Sequence, residues 1–357
     1  MSKILYVASN MTHINNFHTD YIAALRSLGH TVLVMARGDG ADFDVPFEKK
    51  LFSTKNTACR RMIRQIMKRE RFDAVVLNTT LAAFHVRFAM PFRNRPRVIN
   101  IVHGYLFSKN TGFVKRTLLL LCEKVVAPKT DAIIVMNAED RSIAERYRLT
   151  RGRIDTVDGF GVAVRESTTS PIEIHKEYAD GRYALLFVGE LSSRKNQEFL
   201  IKALPDLKLR IPNAVLWLVG DGAAREHLEQ LALEIGVSDS VAFFGKRCDA
   251  CDFMRACDLY VSAARIEGLP FNIVEALGCG SYVVATRIKG HTDVINSCDV
   301  GLLYPEGDTD AFVASVELAA KEHRRGGSVA EERYEFYEKS RVFPAVLQTI
   351  VCNIDEK

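Results

Sequence analysis

The sequence predicts an α/β protein with two doubly wound, Rossmann-like domains that face each other across a cleft. The chain has 357 residues, more than twice the roughly 150 residues of a typical domain. Apolar runs rich in β-branched residues alternate with longer helical patterns, and this rhythm restarts after a polar stretch near residues 165–182. Strands that are apolar throughout and separated by helices form parallel sheets that are covered on both faces.

The predicted strands fall into two groups, one on each side of the polar stretch. The first group contains residues 3–8, 31–36, 73–78, 97–102 and 131–136, and the second contains 183–190, 214–222, 240–245, 258–264, 281–286 and 301–305. We therefore expect an N-terminal domain at 1–170 and a C-terminal domain at 171–335. A helix at 336–357 is expected to pack back on the N-terminal domain.

Charge is unevenly distributed between these domains. Residues 1–165 carry 27 Lys and Arg against 14 Asp and Glu, whereas the remainder carries 21 against 30. A basic half attracts phosphate-rich polymers or an anionic leaflet. The segments at 59–72 and 113–126, CRRMIRQIMKRERF and FVKRTLLLLCEKVV, place basic beside apolar residues as interfacial helices do. They favour contact with an anionic membrane surface, although a solvated basic face over a core-facing stripe explains either helix equally well.

Composition favours an ordinary globular protein, expected in the cytoplasm, and the two basic segments favour a peripheral position on the inner face of the cell membrane. The start, MSKILYVASN, has no basic region ahead of an apolar one, and no apolar run reaches about 18 residues. Eight scattered cysteines are expected to be reduced thiols. The pair Cys248 and Cys251 lacks a second pair at ligand spacing, so we expect thiols and no zinc there. Nothing in the sequence resembles a DxD-type metal clamp tied to a phosphate site, so we expect no metal elsewhere.

The most informative segment runs from residue 264 to residue 286. Glu267 precedes a predicted helix that starts at Pro270, and Glu275 lies about 7–8 Å further along the axis than Pro270. Two acids so placed do not share one proton; they suit the two ends of a long ligand. The anionic middle of that ligand would meet the positive end of the helix. A nucleotide sugar has this layout.

These residues resemble a known family. EGLPFNIVE (267–275) is similar to the E-x7-E motif of retaining glycosyltransferases of the GT-B type, family four, in the exopolysaccharide and capsule group. GELSSRKNQEFLIKAL (189–204) resembles the family's strand, loop and helix with a phosphate-binding lysine. LVGDG (218–222) resembles its next strand and turn, and FFGKR (243–247) its nucleobase loop. The resemblance covers nearly the whole chain and is firmest from 183 to 305.

The resemblance implies roles for the matched residues. Glu275 would accept hydrogen bonds from the ribose and Glu267 from the donor sugar. Lys195 and Arg194 would neutralise the departing diphosphate. The remaining positions on the donor side are Gly268 and Leu269 at the distal phosphate, Gly189 at the start of the phosphate loop, and Lys246 and Arg247 in the nucleobase loop. Where the family usually has an arginine, this chain has Glu190, so we expect Glu190 to point away and Arg194 to supply the second cation.

Three histidines stand in the predicted N-terminal domain. His13 and His18 lie in SNMTHINNFH (9–18). This segment contains no glycine and so does not match the glycine-rich dinucleotide-binding motif, which argues against a nicotinamide-dependent enzyme. Both are candidates for the acceptor side or for a phosphate, and a capping or structural role is the alternative for each. His103, in IVHGYLF (101–107), matches the position where the family places a histidine near the donor sugar.

The predicted function is retaining transfer of a hexose or N-acetylhexosamine from a nucleotide-diphosphate sugar, with UDP as the expected nucleotide. The acceptor would be a glycan or lipid-linked saccharide in surface polysaccharide or glycoconjugate synthesis, with no cofactor, metal or nucleic acid. Two alternatives stay open. The first is a sugar-nucleotide epimerase of the same fold, which would need no acceptor surface. The second is a non-catalytic module that binds polyanions, which would leave Glu267, Glu275 and Lys195 unexplained.

Overall fold

The computed structural model describes residues 1–48, 53–107, 111–322 and 326–356. The chain divides into two compact units, the first formed by Met1–Gly161 with Ser340–Lys357 and the second by Val162–Lys339. The first unit thus ends before residue 170, the boundary expected from the sequence. Val162 already belongs to the second unit because it forms a parallel β-bridge with Glu338.

The first unit contains a seven-stranded parallel sheet in the order β3-β2-β1-β4-β5-β6-β7. Its strands are β1 (Lys3–Val7), β2 (Thr31–Ala36), β3 (Phe43–Asp44), β4 (Ala74–Asn78), β5 (Arg97–Val102), β6 (Ala132–Val135) and β7 (Arg153–Thr156). The strands β1 and β4 are neighbours at the centre of the sheet and are almost wholly buried. They carry apolar side chains on both faces because helices cover both.

Among the described residues, seven α-helices belong mainly to this unit. They are α1 (Met11–Phe17), α2 (Thr19–Ser27), α3 (Lys55–Glu70), α4 (Thr80–Ala89), α5 (Phe113–Val126), α6 (Ala138–Arg146) and α15 (Lys339–Asp355). The last of these is the terminal helix of the chain, and it packs on the first unit. The Asn353 side-chain amide donates to Asp155 Oδ2 at 2.8 Å, and the Phe343 ring lies 4.6 Å from that of Tyr21.

The second unit contains a six-stranded parallel sheet in the order β10-β9-β8-β11-β12-β13. Its strands are β8 (Tyr183–Val188), β9 (Ala214–Val219), β10 (Val241–Gly245), β11 (Leu259–Ser262), β12 (Val283–Thr286) and β13 (Gly301–Tyr304). Its helices are α7 (Pro171–Tyr178), α8 (Gln197–Arg210), α9 (Arg225–Glu234), α10 (Ala250–Ala256), α11 (Phe271–Gly278), α12 (His291–Val294), α13 (Thr309–Lys321) and α14 (Gly327–Glu335). Both units therefore have the predicted doubly wound architecture.

The two basic helices predicted as membrane contacts differ in what they expose. In α3 the apolar residues face inward: Cys59 and Ile63 are buried in the core, and Ile66 packs against it. In α5 much of the apolar stripe faces outward, with Val114 80% and Leu121 58% exposed. The apolar stripe of α3 thus faces mainly the core, with Met62 at 36% exposed, whereas α5 presents several apolar side chains to the surroundings. Within the described parts of the chain, no helix combines the length and apolar character needed to cross a bilayer.

Candidate active site

The site residues of the second unit lie where its strand order reverses. The chain builds the sheet outward from β8 through β9 to β10, then returns to place β11 on the other side of β8. Ligands of open α/β sheets bind outside the carboxyl ends of the strands at such a switch point. The loops after β8 and β11 carry Lys195 and Glu267, so the topology places both side chains at this point.

Glu267 is the centre of a buried charged cluster. Its Oε1 lies 2.7 Å from Lys195 Nζ, and its Oε2 lies 3.1 Å from Arg194 Nη1. The side chains of Glu267 and Lys195 are only 7% and 11% exposed. Burial alone would raise the pKa of Glu267, but the charges of Lys195 and Arg194 outweigh burial and hold this pKa below its usual value. Glu267 is therefore a carboxylate that can only accept hydrogen bonds.

Backbone contacts hold the two loops together. The Arg265 N–H donates to the Arg194 carbonyl at 2.9 Å, and the Arg265 guanidinium donates to the Ser193 carbonyl at 3.1 Å. The Arg194 guanidinium in turn reaches the Ile266 carbonyl at 3.3 Å. Because these bonds cross directly between the loops, the carboxylate and its two cations keep a fixed spacing.

The helix α11 is anchored to the end of β8 by its first turn. Pro270 occupies the N-cap position just before the helix. The Asn272 side-chain amide donates to the Val188 carbonyl and to Tyr260 Oη, both at 2.9 Å. This clamp fixes the direction of the helix and therefore the position of Glu275 in its second turn.

Glu275 has a different electrostatic setting from Glu267. It is half-buried, and burial followed by the nearby Cys251 raises its pKa to about 7, against the opposing charges of Lys195 and Arg165. Hydrogen bonding from Cys279 lowers the pKa of the Cys251 thiol to about 6 despite burial. Glu275 therefore changes its charge near neutral pH, whereas Glu267 stays ionised.

Glycines allow close backbone approach at this site. Gly290 has φ +81°, and a Cβ there would lie 2.6 Å from the Gly268 carbonyl oxygen, in the loop that carries Glu267. Gly189 has φ +148°, and a Cβ there would lie 3.3 Å from the Phe187 ring. Leu269, next to Gly268, buries its side chain. The loop before α11 is thus packed against the start of α12.

The two cationic residues after β10, Lys246 and Arg247, have contacts different from those of the cluster around Glu267. Arg247 pairs with Asp249 at 2.6 Å, and its guanidinium lies 4.9 Å from the centre of the Phe253 ring. Lys246 is exposed. Glu190 is 56% exposed and lies 3.9 Å from Arg194, so its carboxylate faces largely toward solvent.

The three predicted histidines of the first unit come together. One ring nitrogen from each of His13, His18 and His103 lies within 4.8 Å of the others. Burial lowers the pKa of His13 to about 4. Burial, and then the neighbouring histidines, hold the pKa values of His18 and His103 well below the usual range. All three rings are therefore neutral at pH 7.

Sequence reasoning missed several residues that organise these sites. Asn78 ends a buried strand, and a polar side chain there is a signal that could have found it. Tyr6 and Phe160, which contact His18, look like ordinary core residues in the sequence. His291 is fully buried beside Glu267, and no pattern in the sequence marks it.

Comparison with known proteins gives the family. A family model described as glycosyl transferases group 1 matches residues 172–341, and one described as glycosyltransferase family 4 matches residues 15–159. Together they match most of the chain. The chain is a glycosyltransferase. This glycosyltransferase is therefore an enzyme that uses a nucleotide sugar.

Relatives and solved structures agree with this assignment. EpsD of Bacillus subtilis, which is named as a glycosyltransferase, is 29% identical over 88% of this chain and 86% of its own. An Escherichia coli protein named UDP-Gal:alpha-D-GlcNAc-diphosphoundecaprenol alpha-1,3-galactosyltransferase is 22% identical over 70% of this chain and 66% of its own. The structure of Anabaena HepE in complex with UDP and glucose matches with a TM-score of 0.78 at 18% identity, covering 98% of the glycosyltransferase and 100% of HepE. The glycosyltransferase thus has the GT-B fold.

Proposed function

We propose that this glycosyltransferase transfers a hexose or N-acetylhexosamine from a UDP-sugar, with retention of configuration, to a glycan or lipid-linked saccharide. The reaction would serve surface polysaccharide or glycoconjugate synthesis. The observation that carries the proposal is the buried Glu267 carboxylate, held between Lys195 and Arg194 at the switch point of the second sheet. This cluster offers a carboxylate that can accept hydrogen bonds from sugar hydroxyls. The same carboxylate is in direct contact with two cations that can bind a diphosphate.

The cluster suits the departure of a nucleoside diphosphate. Negative charge grows on the diphosphate as the glycosidic bond breaks, and Lys195 and Arg194 would stabilise it there. Because these side chains carry the charge, we propose that diphosphate binding needs no divalent ion. Glu267, being ionised, would accept hydrogen bonds from donor-sugar hydroxyls. In the proposed retaining course, the departing phosphate itself takes the proton of the incoming hydroxyl on the same face, so no side chain acts as a covalent nucleophile.

The remaining roles follow the same scheme. Glu275 would accept hydrogen bonds from the ribose, and the backbone of Gly268 and Leu269 would meet the distal phosphate beside the loop that starts at Gly189. Lys246 and Arg247 would lie toward the nucleobase. In the first unit, His103 would lie near the donor sugar and His13 and His18 on the acceptor side.

The comparisons support the choice of donor and acceptor. The HepE structure contains UDP and glucose, which favours UDP over other nucleotides. The Escherichia coli relative is named for a UDP-sugar donor and a diphosphoundecaprenol-linked acceptor, which favours a lipid-linked saccharide. Both family models favour a transferase over the epimerase and the polyanion-binding module.

Turnover of nucleotide sugars tests the donor site. Purified enzyme is incubated with UDP-, GDP- and ADP-sugars, and released nucleotide is measured with and without a saccharide acceptor. Lys195→Met should reduce the rate constant of the preferred donor by about 10²–10³-fold, as loss of a charge-stabilising group does elsewhere. Lys202→Met is the matched control, because Lys202 lies on the exposed side of the next helix and pairs with Glu198. Equal turnover by Lys195→Met and the wild type would refute the proposed role of Lys195.

The stereochemical proposal has its own readout. The anomeric configuration of the first product formed is followed by proton NMR with the preferred donor. An α-linked donor should give an α-linked product. A β-linked product would overturn retention while leaving the transferase assignment intact.

We also propose that the enzyme contacts an anionic membrane surface through α5. Apolar side chains follow one another along its exposed side, at 113, 114, 118, 121 and 125, and each is at least 45% exposed. Lys115 and Lys124 are exposed on the same helix. Apolar and basic side chains side by side are what an anionic bilayer interface binds.

Vesicle sedimentation tests this contact. The enzyme should bind vesicles containing phosphatidylglycerol more than vesicles of phosphatidylcholine alone, and less at high salt. Leu121→Glu should weaken binding, whereas Leu209→Glu, at an exposed leucine on a helix of the second unit, should not. Equal binding of both variants and the wild type would show that α5 is not the contact.

A further inference from the structure

The histidine cluster of the first unit has the spacing of a metal-binding site. The Nε2 atoms of His13 and His18 lie 3.3 Å apart, and one nitrogen of His103 lies within 4.8 Å of both. Two imidazole nitrogens that bind one tetrahedral zinc ion at 2.0–2.1 Å lie about 3.3–3.4 Å apart. The Nε2 atoms of His13 and His18 already have this spacing. The nitrogen of His103, within 4.8 Å of both, needs only a small shift to reach it.

Neighbouring side chains set the direction of two of the rings. His18 Nδ1 lies 3.0 Å from Tyr6 Oη, which leaves Nε2 as the atom that faces His13. The Asn78 amide nitrogen donates to the Val7 carbonyl, so its Oδ1 is the atom that meets His103 Nε2 at 3.4 Å. This oxygen only accepts. His103 Nε2 therefore carries the hydrogen and Nδ1 carries the lone pair, which is the arrangement that metal-binding histidines adopt.

Aromatic rings surround the cluster. The Phe160 ring lies 4.7 Å from the His18 ring and stacks on His103 at 5.1 Å. The Phe17 ring lies 5.1 Å from His13. These rings give the three imidazoles an apolar setting, which favours their neutral, metal-binding form.

We propose that His13, His18 and His103 bind one divalent transition-metal ion of the zinc class, with the fourth position open to water or a hydroxyl. Three nitrogen ligands favour Zn²⁺, Co²⁺, Ni²⁺ or Cu²⁺ over Mg²⁺ or Ca²⁺, which prefer oxygen. Three protein ligands with one free position is the arrangement of zinc sites that bind an exchangeable oxygen ligand. The site is distinct from the diphosphate cluster, whose charge is met by Lys195 and Arg194. From the sequence no metal is expected, because no acidic metal clamp accompanies the phosphate-binding residues and the sequence does not bring His103 to His13 and His18.

Metal binding is measured directly, without any transferase assay, so the result does not depend on the proposed function. Untagged full-length enzyme, freed of metal by chelator, is titrated with Zn²⁺ by calorimetry and with Co²⁺ by visible absorption. We expect one ion per chain and the intense visible bands of tetrahedral Co²⁺. No binding, or the weak spectrum of octahedral Co²⁺, would overturn the proposal.

Variants test the ligand set. His13→Gln and His103→Gln should each weaken Zn²⁺ binding at least tenfold, and Tyr6→Phe, which removes only the oxygen that orients His18, should weaken it about 10–100-fold. His227→Gln is the control, because His227 is 63% exposed in the second unit. Unchanged affinity in the first two variants, or an equal loss in the control, would show that Zn²⁺ binds elsewhere. Should a histidine variant fail to fold, the Co²⁺ spectrum of the wild type still decides.

Discussion

Donor binding should become tighter as the pH rises from 6 to 8. In the proposed donor complex, the ionised form of Glu275 would accept hydrogen bonds from both ribose hydroxyls, whereas the protonated form would lose part of this capacity. The pKa of Glu275 is raised to about 7 by burial and by Cys251. The residue therefore passes from mostly neutral to mostly charged within this range.

The expected size follows from this pKa. With a midpoint near 7, about 10% of Glu275 is ionised at pH 6 and about 90% at pH 8. If the ionised form binds the ribose, affinity rises about tenfold across the range. The pKa of Glu267 stays below its usual value, so Glu267 contributes no change in this window.

The assay is calorimetric titration of the preferred UDP-sugar at several pH values. A UDP-sugar is used in place of UDP because its phosphates are both esterified and keep their charge from pH 6 to 8. Glu275→Gln should bind weakly with no rise over this range. Cys251→Ser should move the midpoint to lower pH, because it removes the thiolate that raises the pKa of Glu275.

Two outcomes would refute this reasoning. A wild-type affinity that is constant from pH 6 to 8 would show that Glu275 does not titrate there or does not bind the ribose. A rise that persists in Glu275→Gln would assign the titration to another group.

Three further predictions concern stability. The folded-state pKa of Glu275 is raised, so its contribution to stability is present below about pH 4.5 and is lost as the pH rises through 7. At pH 8, Glu275→Gln should therefore have a higher melting temperature than the wild type, equivalent to about 1–3 kcal/mol. A gain in melting temperature at pH 8 that is no larger than the gain at pH 4.5 would contradict this. Gly290→Ala should lower the melting temperature more than Gly307→Ala, since both have positive φ but only a Cβ at Gly290 meets a backbone carbonyl; equal losses would show that φ alone decides. Arg87→Ala should lower the free energy of unfolding by about 3–5 kcal/mol, because it leaves the buried Glu123, now 2.9 Å from Arg87, without its partner. The double variant Arg87→Met with Glu123→Leu should recover most of that loss. Chemical denaturation measures both, and a double variant no more stable than Arg87→Ala would count against this explanation.

The sequence predicts the sheets well because buried parallel strands are apolar throughout. All eleven predicted strands are present, and the two that are missing from the prediction, β3 and β7, are the outermost strands of the first sheet. β3 has two residues, and β7 is RIDT, partly exposed and half charged. An edge strand needs neither length nor an apolar face, so no periodicity marks it.

The site is predicted in part for a similar reason. Motif spacing locates the loops that carry Glu267 and Lys195, because each follows a recognisable strand. It does not reveal that Arg247 is already paired with Asp249, nor that three histidines meet in one cluster. The histidine cluster depends on side chains from distant segments, and the Arg247–Asp249 pair depends on side-chain directions; periodicity gives neither.

The charged cluster around Glu267 is costly for the fold, and this cost is itself an argument about function. Burying a carboxylate and an ammonium requires both to lose hydration, and well-packed apolar side chains at such positions are often as stable or more stable. Of the two cations, Lys195 is buried with Glu267, whereas Arg194 is 45% exposed and also lies 3.9 Å from Glu190. A cation that is already desolvated, as Lys195 is at 11% exposed, is suited to an anionic ligand, because the reorientation of polar groups that the ligand would otherwise require has taken place during folding.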